Sequence, residues 1–181
     1  RDSSTVDLLA VHRIDRETSG ALAFARTESS QTHLIEQFAA HTSFRRYFCV
    51  IPGKLEARTI STMFVRDRGD GVRGSSADAI HGKHAVTHVK PMRVIGDYSE
   101  LECQLETGRT NQIRIHLAEL RHPICGDVKY HGPFGEPPID DKSRAPRLAL
   151  HAADLGFVHP KSGENLNFSV PLPRDLQQFI A

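Results

Sequence analysis

The chain has 181 residues, 39% of them apolar and 25% charged, which suits a soluble globular protein of one well-packed domain, or two small ones sharing a core, and argues against disorder. No apolar run approaches the roughly 20 residues needed to span a bilayer, and no basic-then-apolar export signal opens the chain, so the sequence reads as cytoplasmic. A net charge of +1 is a weak footprint for nucleic acid, and three separated cysteines, Cys49, Cys103 and Cys125, set among apolar neighbours, read as reduced core residues.

Taken in order, residues 1–5 read as a polar frayed end, and residues 21–25 as a short buried strand after the turn pair Ser19-Gly20. Residues 28–40 predict an amphipathic helix with a structural job: Leu34, Ile35, Phe38 and Ala39 share a stripe, and Thr27 or Ser29 can cap it. Residues 46–51, aromatic and β-branched, predict a strand that stops at Pro52-Gly53 and carries Tyr47 near its start. From residue 42 to 73 there are seven Arg or Lys (Arg45, Arg46, Lys54, Arg58, Arg66, Arg68, Arg73) against three acids, a local excess that suits phosphate contacts.

Residues 69–79 read as a flexible Gly/Ser connection, and residues 84–94 and 99–105 as a hairpin about Gly96-Asp97. Over residues 110–121, Ile113, Leu117 and Leu120 fall at helical spacing with Thr110 as N-cap, which puts Arg114 in the first turn. Residues 132–146 predict a surface loop; residues 148–152 and 155–158 are strand pieces, and a turn at 161–164 leads to a strand at 166–170. Pro173 starts a short terminal helix carrying Leu176, Phe179 and Ile180.

The most informative segment is His12-Arg13-Ile14-Asp15-Arg16-Glu17-Thr18-Ser19-Gly20, one carboxylate among basic groups on a loop. An opposite charge within a few Å lowers an aspartate pKa by roughly 1–3 units, so Arg13 and Arg16 predict an ionised Asp15 suited to nucleophile or base chemistry. A second segment runs Leu105-Glu106-Thr107-Gly108-Arg109-Thr110-Asn111-Gln112-Ile113-Arg114-Ile115-His116-Leu117, followed by His122-Pro123-Ile124-Cys125-Gly126-Asp127 and Tyr130. With Arg45-Arg46-Tyr47-Phe48-Cys49-Val50-Ile51-Pro52-Gly53 and Arg147-Leu148-Ala149-Leu150-His151-Ala152, these blocks resemble, in order and spacing, the RluA-like family of RNA pseudouridine synthases, from about residue 7 to the end.

That resemblance implies an α+β pseudouridine synthase catalytic domain: a mainly antiparallel mixed sheet flanked by helices and loops, with a central basic cleft. It implies isomerisation of particular uridines in structured RNA, ribosomal or transfer, by a base-flipping monomer that uses no cofactor and no metal. Asp15 takes the catalytic position, with a bet on a role at the ribose. Arg114 takes the position that pairs with the catalytic Asp, where a bidentate guanidinium would orient and ionise it. Tyr47 takes that of the tyrosine stacking on the flipped base, a contact worth roughly 1–3 kcal/mol. Arg13 matches the residue that can fill the gap the base leaves, while Arg109 and Thr110 are phosphate or local structural contacts; Arg16 and Arg46 complete the expected RNA-binding set.

Two departures stand out: Asn111 occupies a position usually His in the family, and Arg121 replaces the Gly that usually precedes His-Pro-Ile. Relatives also begin with further strands and a Lys-Pro segment, so residues 1–181 read as one catalytic domain lacking its amino-terminal strands, with no separate RNA-binding domain. An alternative is a catalytically inactive RNA-binding relative, against which the joint retention of Asp15, Tyr47 and Arg114 argues. A metal site at His81, His84 and His88 is disfavoured because strand periodicity puts His81 opposite the other two; these histidines read as solvated or RNA-facing.

Overall fold

A computed structural model describes residues 7–76 and 81–181; the end expected to fray over residues 1–5, and the last part of the connection expected over 69–79, lie outside them. The elements are β1 (Leu9–Ala10), β2 (Ser19–Gly20), β3 (Phe24–Ala25), α1 (Glu28–Ala39), β4 (Phe44–Pro52), β5 (Arg58–Val65) and β6 (Gly74–Ser76). They continue with β7 (Lys83–Ile95), β8 (Tyr98–Leu105), α2 (Gln112–Glu119), β9 (Leu150–Val158), β10 (Asn165–Ser169) and α3 (Arg174–Phe179). The main sheet runs β10-β9-β4-β8-β7-β5-β6 with antiparallel neighbours, β2 adds a parallel pairing to β9, and β1 pairs with β3 alone. This is the mixed, largely antiparallel α+β fold expected.

Local chemistry explains most elements. The Thr27 hydroxyl caps α1 by accepting from Ser30 N–H at 3.2 Å. The β7–β8 hairpin turns at Gly96, whose φ of 57° is a left-handed value that glycine adopts without strain. The two strand pieces expected over 148–158 are one continuous strand, β9, and the connection expected over 69–79 contains β6. Strand β5 was not expected at all. Only Ile60 and Phe64 are buried along it, and that four-residue spacing is one a helix shares.

The segment after Asp15 departs from expectation. Ser19-Gly20 is a strand, and the turn falls earlier, where Thr18 N–H donates to the Asp15 carbonyl at 3.0 Å. Gly20 has φ 121° and lies so close to β9 that a Cβ would stand 2.1 Å from the Ala152 carbonyl oxygen. Residues 21–25 form no buried strand: β3 covers two of them, with Ala25 buried and Phe24 44% exposed.

The main core lies between the sheet and α2, with Ile51 of β4, Leu101 of β8 and Leu117 of α2 fully buried, and α3 contributing Leu176. All three cysteines are free and buried, as expected. Helix α2 is buried on every side from Gln112 to Ala118, so the expected one-sided stripe understates its burial. His116 in that helix reaches Thr87 Oγ1 at 2.9 Å and Thr62 Oγ1 at 3.0 Å, and burial lowers its pKa to about 4. It is a neutral core residue. His84 and His88 share a face as expected and bond Ser61 and Thr59 of β5; among the described residues no three His, Cys, Asp or Glu side chains gather as a metal site.

The residue preceding α2 is Asn111, with φ 58°, and Thr110 is not the cap. Asn is among the few residues that tolerate the left-handed region. The helix ends in a Schellman motif: Arg121 N–H donates to the Ala118 carbonyl and His122 N–H to the Leu117 carbonyl, each at 2.9 Å. Arg121 has φ 65° at the position the motif reserves for glycine, and its ion pair with Glu136 lies on the surface. Arg121→Gly is therefore expected to raise stability by about 1 kcal/mol, read as a higher urea midpoint with an unchanged slope.

Candidate active site

The loop carrying Asp15 is pinned at both ends. On one side, Ala23 N–H donates to His12 Nε2 at 2.9 Å while the imidazole stacks on Phe38, centroids 4.3 Å apart. Burial, reinforced by the Arg45 charge, lowers the His12 pKa to about 4, so the ring stays a neutral acceptor. On the other side, Ser19 Oγ lies 2.9 Å from His151 Nδ1, whose Nε2 lies 2.9 Å from the Val170 carbonyl. Between these anchors the loop forms one wall of a cavity of about 540 Å³.

Its other walls come from α1 (Ile35, Phe38, Ala39), β4 (Arg45, Tyr47) and the segment leading into α2 (Gly108, Arg109, Thr110, Gln112). Helix α1, assigned a purely structural job from sequence, thus borders the site. Gln112 braces the segment before α2: its Oε1 accepts from Thr107 Oγ1 at 2.7 Å and Arg109 N–H at 2.9 Å, while its Nε2 donates to the Val86 carbonyl at 2.8 Å.

Strand parity sorts the arginines of β4. Arg45, Tyr47 and Cys49 are buried on one face, and Arg46 projects to the other, where it pairs with Asp154 at 2.7 Å and Glu102 at 3.3 Å. The expected RNA contact Arg46 therefore holds β4 to β8 and β9 outside the cavity, and the residue passed over, Arg45, lines it. Tyr47, 9% exposed, also lines the cavity, and its phenol is pushed up to about 12, mainly by burial, so it stays protonated at neutral pH. The β4–β9 register slips between Arg46 and Tyr47 because β9 carries an extra residue there, Ala153, while β4 keeps its alternation. Arg45 is 8% exposed, its Nε has no partner, and its Nη2 makes only a 3.4 Å contact to the Glu106 carbonyl. A buried guanidinium left this incompletely bonded can donate to an anionic or carbonyl-bearing ligand.

The carboxylate of Asp15 accepts from Asn111 N–H at 3.4 Å. With the Asn111 amide oriented to satisfy both of its ends, Nδ2 donates to Asp15 Oδ1 and Oδ2 at 3.0 and 3.1 Å and Oδ1 accepts from the Tyr130 hydroxyl at 3.0 Å. Arg114 does not make the expected fork with Asp15. Its Nε and Nη2 each meet Asp127 at 2.7 Å, a buried bidentate pair, and Asp127 also accepts from the backbone N–H groups of Lys129 and Tyr130. The guanidinium charge still acts on Asp15, but from a position that Asp127 fixes.

Asp15 is consequently not held low by its sequence neighbours. Burial raises its pKa, and Arg114, the Asn111 N–H and Arg13, in that order, oppose the rise only in part. Arg13 is exposed and lines the cavity, whereas Arg16 is exposed and outside the lining. Arg109 and Thr110 line it, with Arg109 Nε donating to the His84 carbonyl at 2.8 Å. Of the eight expected site residues, the cavity thus gathers Asp15, Tyr47, Arg13, Arg109 and Thr110; Arg114 acts from behind, and Arg16 and Arg46 lie elsewhere. Asp127 was missed because nothing in the spacing of a loop residue marks it as a partner.

A partly buried carboxylate with amide donors and a cation behind it, a tyrosine beside it and a basic rim are the parts the sequence blocks pointed to. Comparison with known proteins agrees: the RNA pseudouridylate synthase family matches residues 2–119, and the chain belongs to that family. It is 39% identical to ribosomal large subunit pseudouridine synthase D of Xanthomonas campestris pv. campestris over 94% of this chain and 53% of that protein. It is 41% identical to an uncharacterised RNA pseudouridine synthase, YlyB, of Bacillus subtilis over 94% of this chain and 54% of that protein. The chain thus spans about half the length of the curated relatives it matches. Among solved structures, human RNA pseudouridylate synthase domain containing 1 superposes with a TM-score of 0.77 at 26% identity, covering 92% of this chain and 70% of that one.

Two outcomes follow from the buried charges. Asp127→Ala leaves Arg114 buried without its partner, and a cost of about 3–5 kcal/mol is expected in urea unfolding. For Asp15, the raised folded pKa means that the native state binds more protons than the unfolded chain between the unfolded value and the folded one. Stability is therefore lost as pH rises through that window. Asp15→Asn is expected to be more stable than the parent at pH 7, with the gain vanishing below about pH 4, measured by thermal unfolding at both values.

Proposed function

We propose that this chain isomerises uridine to pseudouridine in RNA, with Asp15 as the catalytic residue acting at the ribose of a flipped nucleotide. The supporting observation is the pairing, in one cavity, of a carboxylate oriented by Asn111 with the ring of Tyr47, in a chain of the RNA pseudouridylate synthase family. The reaction breaks the C1′–N1 bond, turns the uracil and joins C1′ to C5; the C5 hydrogen leaves to solvent and N1 takes up a proton. It needs one group at the sugar and a surface that holds the detached base. Asp15 serves the first role in its ionised form. Tyr47, protonated and backed by the sheet, serves the second by stacking, which offsets the cost of about a few kcal/mol for unstacking the base.

Arg114 and Asn111 are positioning groups in this reading. They stabilise the anion that burial disfavours, and the Arg114–Asp127 fork fixes where the cation stands. Arg13 lies at the exposed rim, suited to the space the flipped base vacates. The substrate is structured RNA read by shape and by the ease of extruding a base; the names of the bacterial relatives favour ribosomal large-subunit RNA. The chain acts as a soluble monomer in the cytoplasm.

Tritium release from RNA labelled at uridine C5 tests the reading, because isomerisation must expel that hydrogen. The parent is expected to release tritium and Asp15→Asn to release none while still binding RNA. The parent's acid limb should lie above the ordinary aspartate range, following the raised pKa. RNA binding by the parent without any release would instead support an inactive binding relative.

A further inference from the structure

A second cavity of about 490 Å³ adjoins the first, lined by Phe64, Val65, Arg66, Arg73, His81, Lys83 and the segment Gly108, Arg109 and Thr110. That last segment lines both cavities, so the two share a wall and Arg109 stands between them. We propose that this groove binds the phosphodiester backbone of the RNA strand flanking the target nucleotide, with Arg66, Arg73 and Lys83 on phosphates and Arg109 at the junction.

Its lining holds four permanent cations and no acidic side chain among the described residues. Arg46, Arg68, Arg93, Arg121 and Arg147 are each paired with a carboxylate, whereas among the described residues Arg66, Arg73 and Lys83 have no ion pair. Like charges converging on one concavity repel, and a polyanion relieves that repulsion while releasing counterions.

Among the described residues the groove's one Phe, Tyr or Trp is Phe64, which is 2% exposed and packed against the edge of the His116 ring, so it offers no open face for a base. Stacking thus belongs to the first cavity, where Tyr47 lies, and charge to the second, which favours backbone over base contacts. The anchoring is firm on the shared side, because Arg109 Nε is tied to the His84 carbonyl at 2.8 Å, which joins the segment between the cavities to β7.

This inference rests on the proposed isomerase reading, and one experiment separates the two. RNA binding and tritium release are measured across a salt series for the parent, for Arg66→Gln/Arg73→Gln/Lys83→Gln, and for a charge-matched control, Lys90→Gln/Lys142→Gln/Lys161→Gln, at exposed positions outside the lining. Each single-strand phosphate contact contributes about 0.7 to the slope of log affinity against log salt, so the groove variant should lose about 2 from that slope. Its KM for RNA should rise at least about tenfold at physiological salt, and the control should match the parent. If the parent isomerises RNA and the groove variant keeps its slope and KM, or the control loses as much, the groove assignment falls and the isomerase reading stands. If the parent binds RNA but releases no tritium, the isomerase reading falls, while a reduced slope in the groove variant would keep the assignment as an RNA site. Equal melting temperatures for all three proteins exclude misfolding as the cause.

Discussion

Burying a carboxylate strips it of water, and the site is organised around keeping Asp15 charged despite that loss. The penalty dominates the pKa of Asp15, and no single contact cancels it. Three modest supports act together: the Arg114 charge, the donors of Asn111 and the exposed Arg13. A direct Arg114–Asp15 fork would lower the pKa further, but it would also occupy oxygen lone pairs that otherwise face the cavity. Handing the fork to Asp127 keeps the cation close and leaves the Asp15 oxygens to the amide donors and the open cavity. A loop carboxylate can hold this geometry because its loop is fixed at His12–Ala23 and Ser19–His151.

The dependence extends into the scaffold. Asn111 reaches Asp15 because it adopts a left-handed conformation at the entrance to α2, and Gln112 next to it bonds four partners. Helix α2 is buried along seven consecutive residues, so it cannot shift to accommodate the loop. On the far wall, the alternation of β4 brings Arg45 and Tyr47 to the cavity and sends Arg46 to the acids of β8 and β9. Tyr47 and Asn111 therefore sit on or beside rigid elements and Asp15 on a loop pinned at both ends, so core packing sets their mutual geometry.

What could be read from the sequence follows from how local each signal is. The β7–β8 hairpin, α1 with its Thr27 cap and the placement of Asp15 and Tyr47 in one family pattern were legible, since each is carried by neighbouring residues. Strand β5 was not, because its inward positions are sparse, and Ser19-Gly20 was misread because a turn pair and an edge pairing to a distant strand look alike until β9 is in place. Asp127 as the partner of Arg114 is a long-range pairing across a loop that no periodicity announces. The direction of the Asp15 pKa shift was misjudged for the same reason: Arg13 and Arg16 are near in sequence but exposed, and the strongest influences are burial and Arg114, which is remote in sequence.

Net charge illustrates the point at larger scale. A total of +1 argues weakly for a polyanionic partner, and the excess between residues 42 and 73 argues only a little more strongly. The fold gives these cations different fates, with Lys54 and Arg58 exposed outside both cavities. Arg46 and Arg68 are neutralised by carboxylates within the protein, and Arg45 is buried in the first cavity with an unbonded Nε. Arg66 and Arg73 come together with Lys83, from a different strand, along one groove. Counting charges along the chain averages over these fates. Only cations left unpaired and brought to one concave surface can gain from a phosphate backbone, and the sheet order β7-β5-β6 is what gathers them there.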